Sequence, residues 1–441
     1  MVSTRILAYT AGLIAIIVWR SGRVAKNNIL TKHNFPTGYY AEGNYTNDCT
    51  TLKAPELKYC EDATFWNLLD NSGKFVDRGL LISCDAGRKS WNTVMGPLRD
   101  PEPLGSLWLY EPGRKLQAGQ SPPLERFKRL ELKGYPAGHD FHPLGVEIYP
   151  SYAGAPSNLY VINHARERTV IEHFILSPSA PTIATHVRTI TSPYFVSPNS
   201  LALTSPDSFY VTNDHLLTRR LPYVGNVLAV IESIFALPLG FVSHVTLNPY
   251  STDTSDAPAP IIKEHTFAVL FVPFPNGIAI SPSGTHLALS STTLGHVSIY
   301  ARDKATHAIA GLIQSIPVPF TPDNLHYTHD GESLIVSGHP NFPALTAVAA
   351  NKTGAAAPSW VLSIAMQGIE LKEDFDVKAP VSARGLVPAV HSREVTTLFQ
   401  SDGSAAGFSS SATGLKDPIT GNLYVSGLYA EDGLLVCRPS S

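Results

Sequence analysis

The sequence predicts an all-β fold, a six-bladed β-propeller, preceded by an N-terminal signal peptide or signal anchor. Three observations carry this. The 35 prolines and 32 glycines are spread along the whole chain, as short strands joined by turns require. One strand phrase recurs six times, and amide side chains recur at one offset upstream of it.

The phrase is a polar residue followed by apolar ones. Its copies are Ser106–Tyr110, Asn158–Asn163, Ser208–Asn213, His286–Ser291, Ser333–Gly338 and Asn422–Gly427. Their starts are 52, 50, 78, 47 and 89 residues apart. About 40 to 50 residues is the size of a four-stranded blade, so two intervals read as blades with insertions. Within the first insertion, Val224 to Val242 is mostly apolar with Gly and Pro. A strand pair and loop over the core is the simpler expectation there, and a lid helix or membrane-facing segment is the alternative.

The remaining composition narrows the partners. The chain has 441 residues, 44% of them hydrophobic, enough for one large β architecture with a full core. With a formal charge of −3 and no long run of Lys or Arg, it lacks the electrostatic footprint of a nucleic-acid binder. A small molecule or a protein is the expected partner.

Ile6 to Trp19 is free of charge and flanked by Arg5 and Arg20, the layout of a signal peptide or short anchor. Residues 1–25 are therefore assigned to targeting and 45–441 to the propeller. Cleavage and retention both lead into the secretory pathway, with the propeller secreted or held on the luminal or extracellular side. Membrane association through the N-terminus is compatible with either route. Four cysteines suit that compartment, although sequence alone allows three pairings. Joining Cys49 to Cys437 would close a propeller ring and leave Cys60 and Cys84 for a second bridge. Asn44-Tyr45-Thr46 and Asn351-Lys352-Thr353 are glycosylation triplets.

Three segments, Pro198-Asn199-Ser200, Pro275-Asn276-Gly277 and Pro322-Asp323-Asn324, open a second strand upstream of the phrase. Asn199, Asn276 and Asn324 precede the following phrase by 9, 10 and 9 residues. Equivalent inner-strand positions of a propeller converge on its axis, so these amides, joined by Asp323, would face one another. Buried together, they need something to satisfy them. Amide and carboxylate oxygens without His or Cys suit calcium over zinc or copper.

The residues from Cys49 to Cys437 resemble the paraoxonase/arylesterase family of calcium-dependent ester and lactone hydrolases. The resemblance rests on the order and spacing of Asn47-Asp48-Cys49, Glu61-Asp62, Phe141-His142-Pro143-Leu144-Gly145-Val146, Val161-Ile162-Asn163-His164, Thr212-Asn213-Asp214-His215, Phe274-Pro275-Asn276-Gly277-Ile278, Pro322-Asp323-Asn324 and Gly338-His339-Pro340-Asn341. It implies an axial calcium on Glu61, Asn199, Asn276, Asp323 and Asn324, and a Cys49–Cys437 disulfide. A second, structural calcium would use Asp62 and the carbonyl of Val146, with Ser200 standing where the family has a carboxylate. Of the family's catalytic His dyad, one member corresponds to His164 and the other to Leu144. His142, two residues earlier and on the same face of an extended strand, is the candidate substitute.

The expected substrate is a lactone or aryl ester. No Gly-x-Ser-x-Gly motif points to a serine hydrolase. Other readings are a gluconolactonase-like or strictosidine-synthase-like propeller enzyme, or a calcium-stabilised propeller that only binds.

Overall fold

The computed structural model describes residues 4–30, 32, 49–112, 126–250, 260–367, 395–404 and 408–439. Among these residues, twenty-six strands form six antiparallel-dominated sheets of four or five strands. The innermost strands of blades 1 to 6 are Cys60–Leu69, Pro143–Ile148, Pro198–Ser205, Pro275–Ile280, Thr321–Tyr327 and Ser411–Lys416. Blade 6 is completed by the first strand of the chain, Cys49–Leu52, which pairs with Leu434–Cys437 in a register that sets Cys49 opposite Cys437. Two disulfides are present, Cys49–Cys437 across that seam and Cys60–Cys84 within blade 1. A buried ion pair, Arg78 to Asp417 at 3.0 Å, also ties blade 1 to blade 6.

The core lies between blades, not at the centre. In the strand Ser157–Asn163, Leu159 and Val161 face the cluster shared with blade 1, while Tyr160 and Ile162 face the cluster shared with blade 3. Side chains alternate along a strand, so a blade covered on both faces needs apolar residues at every position. That is why the recurrent phrase reads as a continuous apolar run. Each such Leu, Ile or Val stabilises the fold by about 1.5–3 kcal/mol.

Five copies of the phrase are the second strands of blades 2 to 6. The first is displaced. Ser106–Tyr110 is the third strand of blade 1, whose second strand is Phe75–Cys84. The two had similar apolar runs, and spacing alone selected the wrong one.

Among the described residues three α-helices sit apart from the blades: α1 (Thr4–Val24), α2 (Gly225–Ile234) and α3 (Phe342–Ala349). Helix α2 corrects the simpler expectation for Val224 to Val242, because a helix precedes the strand that begins at Gly240. Helix α1 is longer than its charge-free stretch. With the helical turn after it, Thr4–Ile29 is long and apolar enough to cross a membrane. Its C-terminal end is docked: Val24, Ala25 and Ile29 are buried, and Asn28 Nδ2 donates to the Thr293 carbonyl at 2.8 Å.

Candidate functional site

Every innermost strand is irregular at the same place. The ladder register shifts between Cys60 and Asp62, Pro143 and Val146, Pro198 and Leu201, Pro275 and Ile278, Pro322 and Leu325, and Ser411 and Gly414. Such bulges re-aim side chains. The residues so placed include Glu61, Leu144, Asn199, Asn276 and Asp323, which all line one small axial cavity of about 40 Å³. That volume holds one ion or one water molecule. Gly277 permits the close approach of neighbouring strands, because a Cβ there would lie 2.6 Å from Cα of Asn324.

The polar groups of this ring are tied back by their donors. Asn199 Nδ2 donates to Asp214 Oδ2 at 3.2 Å and Asn276 Nδ2 to Thr292 Oγ1 at 3.2 Å. Asn324 Nδ2 donates to Glu61 Oε1 at 2.9 Å. Those bonds orient each amide and leave its oxygen over. Oδ1 of Asn199, Asn276 and Asn324 and Oε2 of Glu61 are all buried without a partner. Burial, then the charges of Asp62 and Asp323, push the Glu61 carboxyl well above the usual range.

Four orphaned oxygens beside a carboxylate are costly unless a cation or donor satisfies them. The set fits a hard cation. Among the described residues no cluster of three or more His, Cys, Asp or Glu side chains is placed to hold a metal ion, and the axial set, with its three amides, is of a different kind.

The second calcium expected on Asp62 and Val146 meets a different arrangement. Asp62 Oδ2 accepts the Val146 amide at 2.9 Å, and Oδ1 accepts the Ala63 amide at 2.8 Å with Thr413 Oγ1 at 2.9 Å. Its oxygens are already occupied by protein donors, and Val146 presents its N–H to them. Ser200 is engaged with Thr212 through its own amide at 2.9 Å.

His142 and His164 fall outside the ring. His164 accepts from or donates to Thr93 through Nδ1, and Nε2 bonds the Pro198 carbonyl at 2.8 Å. Burial lowers its pKa to about 4, so the ring is neutral at physiological pH. His142 sits against Asp85 at 3.1 Å and the Trp91 ring at 6.0 Å, with Nε2 unpartnered. Neither His142 nor His164 lines the axial cavity, whereas Leu144 does. The register shift begins at Pro143, so alternation does not carry from residue 144 back to 142.

Sequence reasoning missed His339. It lines the axial cavity, its Nε2 lies 2.9 Å from Asp323 Oδ2, and its Nδ1 is buried without a partner. The signal was available, because Asp85, His164, Asp214, Thr292, His339 and Leu428 each directly follow the second-strand residue that pairs with Cys60, Pro143, Pro198, Pro275, Pro322 and Ser411 respectively.

A larger cavity of about 710 Å³ lies beside the axial one and shares Val94, Met95 and Phe342 with it. Ile29 and residues of α2 and α3 contribute to its wall. Asn351, exposed at the end of α3, is on its rim, and Asn44 lies outside the described residues.

Residues 102–375, more than half of the chain, match the family model described as Arylesterase. The chain belongs to this family. The arylesterase match contains Asn199, Asn276, Asp323, Asn324 and His339 but not Glu61. The chain is 24% identical over 275 residues to serum paraoxonase/arylesterase 2 of Gallus gallus, covering 62% of this chain and 65% of that one. It is 22% identical over 231 residues to serum paraoxonase/lactonase 3 of Oryctolagus cuniculus, covering 52% and 58%. The match thus spans less than two thirds of either relative. Among solved structures it is similar to the Malassezia sympodialis allergen Mala s 1, with a TM-score of 0.45, 9% identity, and 89% and 95% of the two chains covered.

Proposed function

We propose that this protein is a calcium-dependent hydrolase of carboxylic esters, acting on lactones or aryl esters at the propeller axis. The observation that carries the reading is the set of four buried, unpartnered oxygens on Glu61, Asn199, Asn276 and Asn324, aided by Asp323. These five residues would hold the ion. Bound there, a calcium ion would supply Lewis-acid polarisation of the substrate carbonyl and stabilise the oxyanion formed when water adds.

The protein's own groups supply the rest. His339, oriented by its 2.9 Å contact with Asp323, takes the proton of the attacking water at Nδ1. Asp214 and Thr292 fix the amides of Asn199 and Asn276. His164 is a positioning residue: its Nε2 fixes the Pro198 carbonyl, one residue before Asn199. Leu144, Phe274 and Phe342 add apolar wall to the cavity and help exclude bulk water.

Leu144 in the ring also favours a second reading, a calcium-stabilised propeller that binds without hydrolysis. One experiment separates them. The full chain is purified, its bound calcium is measured, and a lactone and aryl-ester panel is assayed with and without chelator. Hydrolysis that needs calcium supports the enzyme. Calcium without turnover of any ester supports the binding module, and unchanged hydrolysis after chelation removes the metal from the mechanism. The N-terminal helix and the two disulfides support residence in the secretory pathway, with α1 as a signal anchor and Asn44 and Asn351 as glycosylation sites.

A further inference from the structure

The larger cavity carries an electrostatic asymmetry that ester hydrolysis does not require. Its wall includes Lys89, Arg99 and Arg219, and among the described residues no Asp or Glu lines it. Lys89 is neutralised by Glu431 at 2.9 Å. Arg219 has no such partner: its Nε donates to the Val94 carbonyl at 2.6 Å and its Nη1 to Asn226 Oδ1 at 3.2 Å, both neutral acceptors. No ion pair with a carboxylate forms at Arg219 among the described residues, although the side chain is half-buried. A guanidinium that has lost part of its hydration without gaining a counter-ion is an anion site in waiting.

The loop before it is shaped for that guanidinium. Gly96 has φ +74°, and a Cβ there would fall 2.9 Å from Nη1 and 3.0 Å from Cζ of Arg219. The bond to Val94 anchors the charge at a residue common to both cavities. Between Arg219 and the axial oxygens the shared wall is Val94, Met95 and Phe342, all apolar.

We propose that the substrate handled at the axial site carries a second, anionic group, a carboxylate, separated from its ester carbonyl by an apolar span. Arg219 receives that carboxylate, with the exposed Arg99 adding long-range attraction. The inference rests on the hydrolase reading for the ester, but not for the anion site itself.

Two probe pairs test it on the full-length protein. The first compares the p-nitrophenyl ester of a straight-chain monocarboxylic acid with the mono-p-nitrophenyl ester of the dicarboxylic acid of equal length. The second compares the corresponding anilides, which are not turned over, by isothermal titration calorimetry. The anionic member of each pair is favoured about tenfold, the worth of one charge-assisted contact. Arg219→Gln brings that ratio towards one, and Arg219→Lys retains part of it. Parity in the unmodified protein, or a ratio unmoved by Arg219→Gln, overturns the proposal. Should Arg219→Gln not fold, a ratio unchanged by both Arg99→Gln and about 0.5 M salt overturns it equally. Anilide preference without hydrolysis of either ester would sink the hydrolase reading and keep the anion site. Hydrolysis of both esters at equal efficiency would do the reverse.

Discussion

Glu61 and Asp62 are neighbours on one inner strand, yet they behave oppositely. Asp62 is saturated by the amides of Ala63 and Val146 and by Thr413, whereas Glu61 keeps one oxygen bare beside the bare amide oxygens of blades 3, 4 and 5. A single residue step across the bulge separates a carboxylate that builds the scaffold from one available to a ligand. Burial and residue type do not distinguish the two, since both are nearly inaccessible. The accounting of hydrogen bonds does.

The largest test of that contrast is Glu61→Gln, which keeps shape and removes charge. It should lower hydrolysis by about 10³-fold and release calcium, read by metal content and initial rates. Full calcium occupancy in this variant would break the comparison. Next comes His339→Asn, expected to reduce kcat about 10²-fold without loss of calcium. His164→Gln should leave the shape of the pH–rate profile intact, because a ring already neutral and doubly bonded carries no proton in the reaction.

Asp62→Ala should act on stability instead. Stranding the Val146 and Ala63 amides is expected to cost about 3 kcal/mol in chemical denaturation, with calcium stoichiometry unchanged. Loss of a second calcium in this variant would show that Asp62 is a ligand after all.

The last test is of acid stability. Burial holds His164 and His244 at about 4 and His173 at about 3, below the unfolded value of 6.5. Between those limits the unfolded chain binds more protons, so stability should be full above pH 6.5 and fall as pH drops towards 4. The slope approaches about 1.4 kcal/mol per pH unit for each such histidine, read from denaturation midpoints at pH 7 and 5. Replacing His164 by Gln should make the decline shallower.

Much of this was legible in the chain. The Pro-Asn and Pro-Asp openings marked inner strands because the same bulge recurs in each, and a common offset in sequence became a common radius in space. Glu61 escaped the offset argument because its strand opens with Cys60, a disulfide partner, where blades 2 to 5 have Pro143, Pro198, Pro275 and Pro322. His339 escaped because the position directly after the phrase carries different residue types in the different copies, His164, Asp214, Thr292, His339 and Leu428, so no shared side chain marks it. The placement of His142 failed for the opposite reason: a period of two was extended through a residue where the strand had not begun. Helix α2 was masked by Gly and Pro on either side of a short apolar run.

The pairing of Cys49 with Cys437 joins the first strand of the ring to the last. The edge of blade 6 is therefore shared by two segments that are far apart in sequence, and the ring around the axial oxygens of blades 1, 3, 4 and 5 closes only when they meet. Reducing that one sulfur pair would loosen the seam and, through it, the frame of the axial cavity.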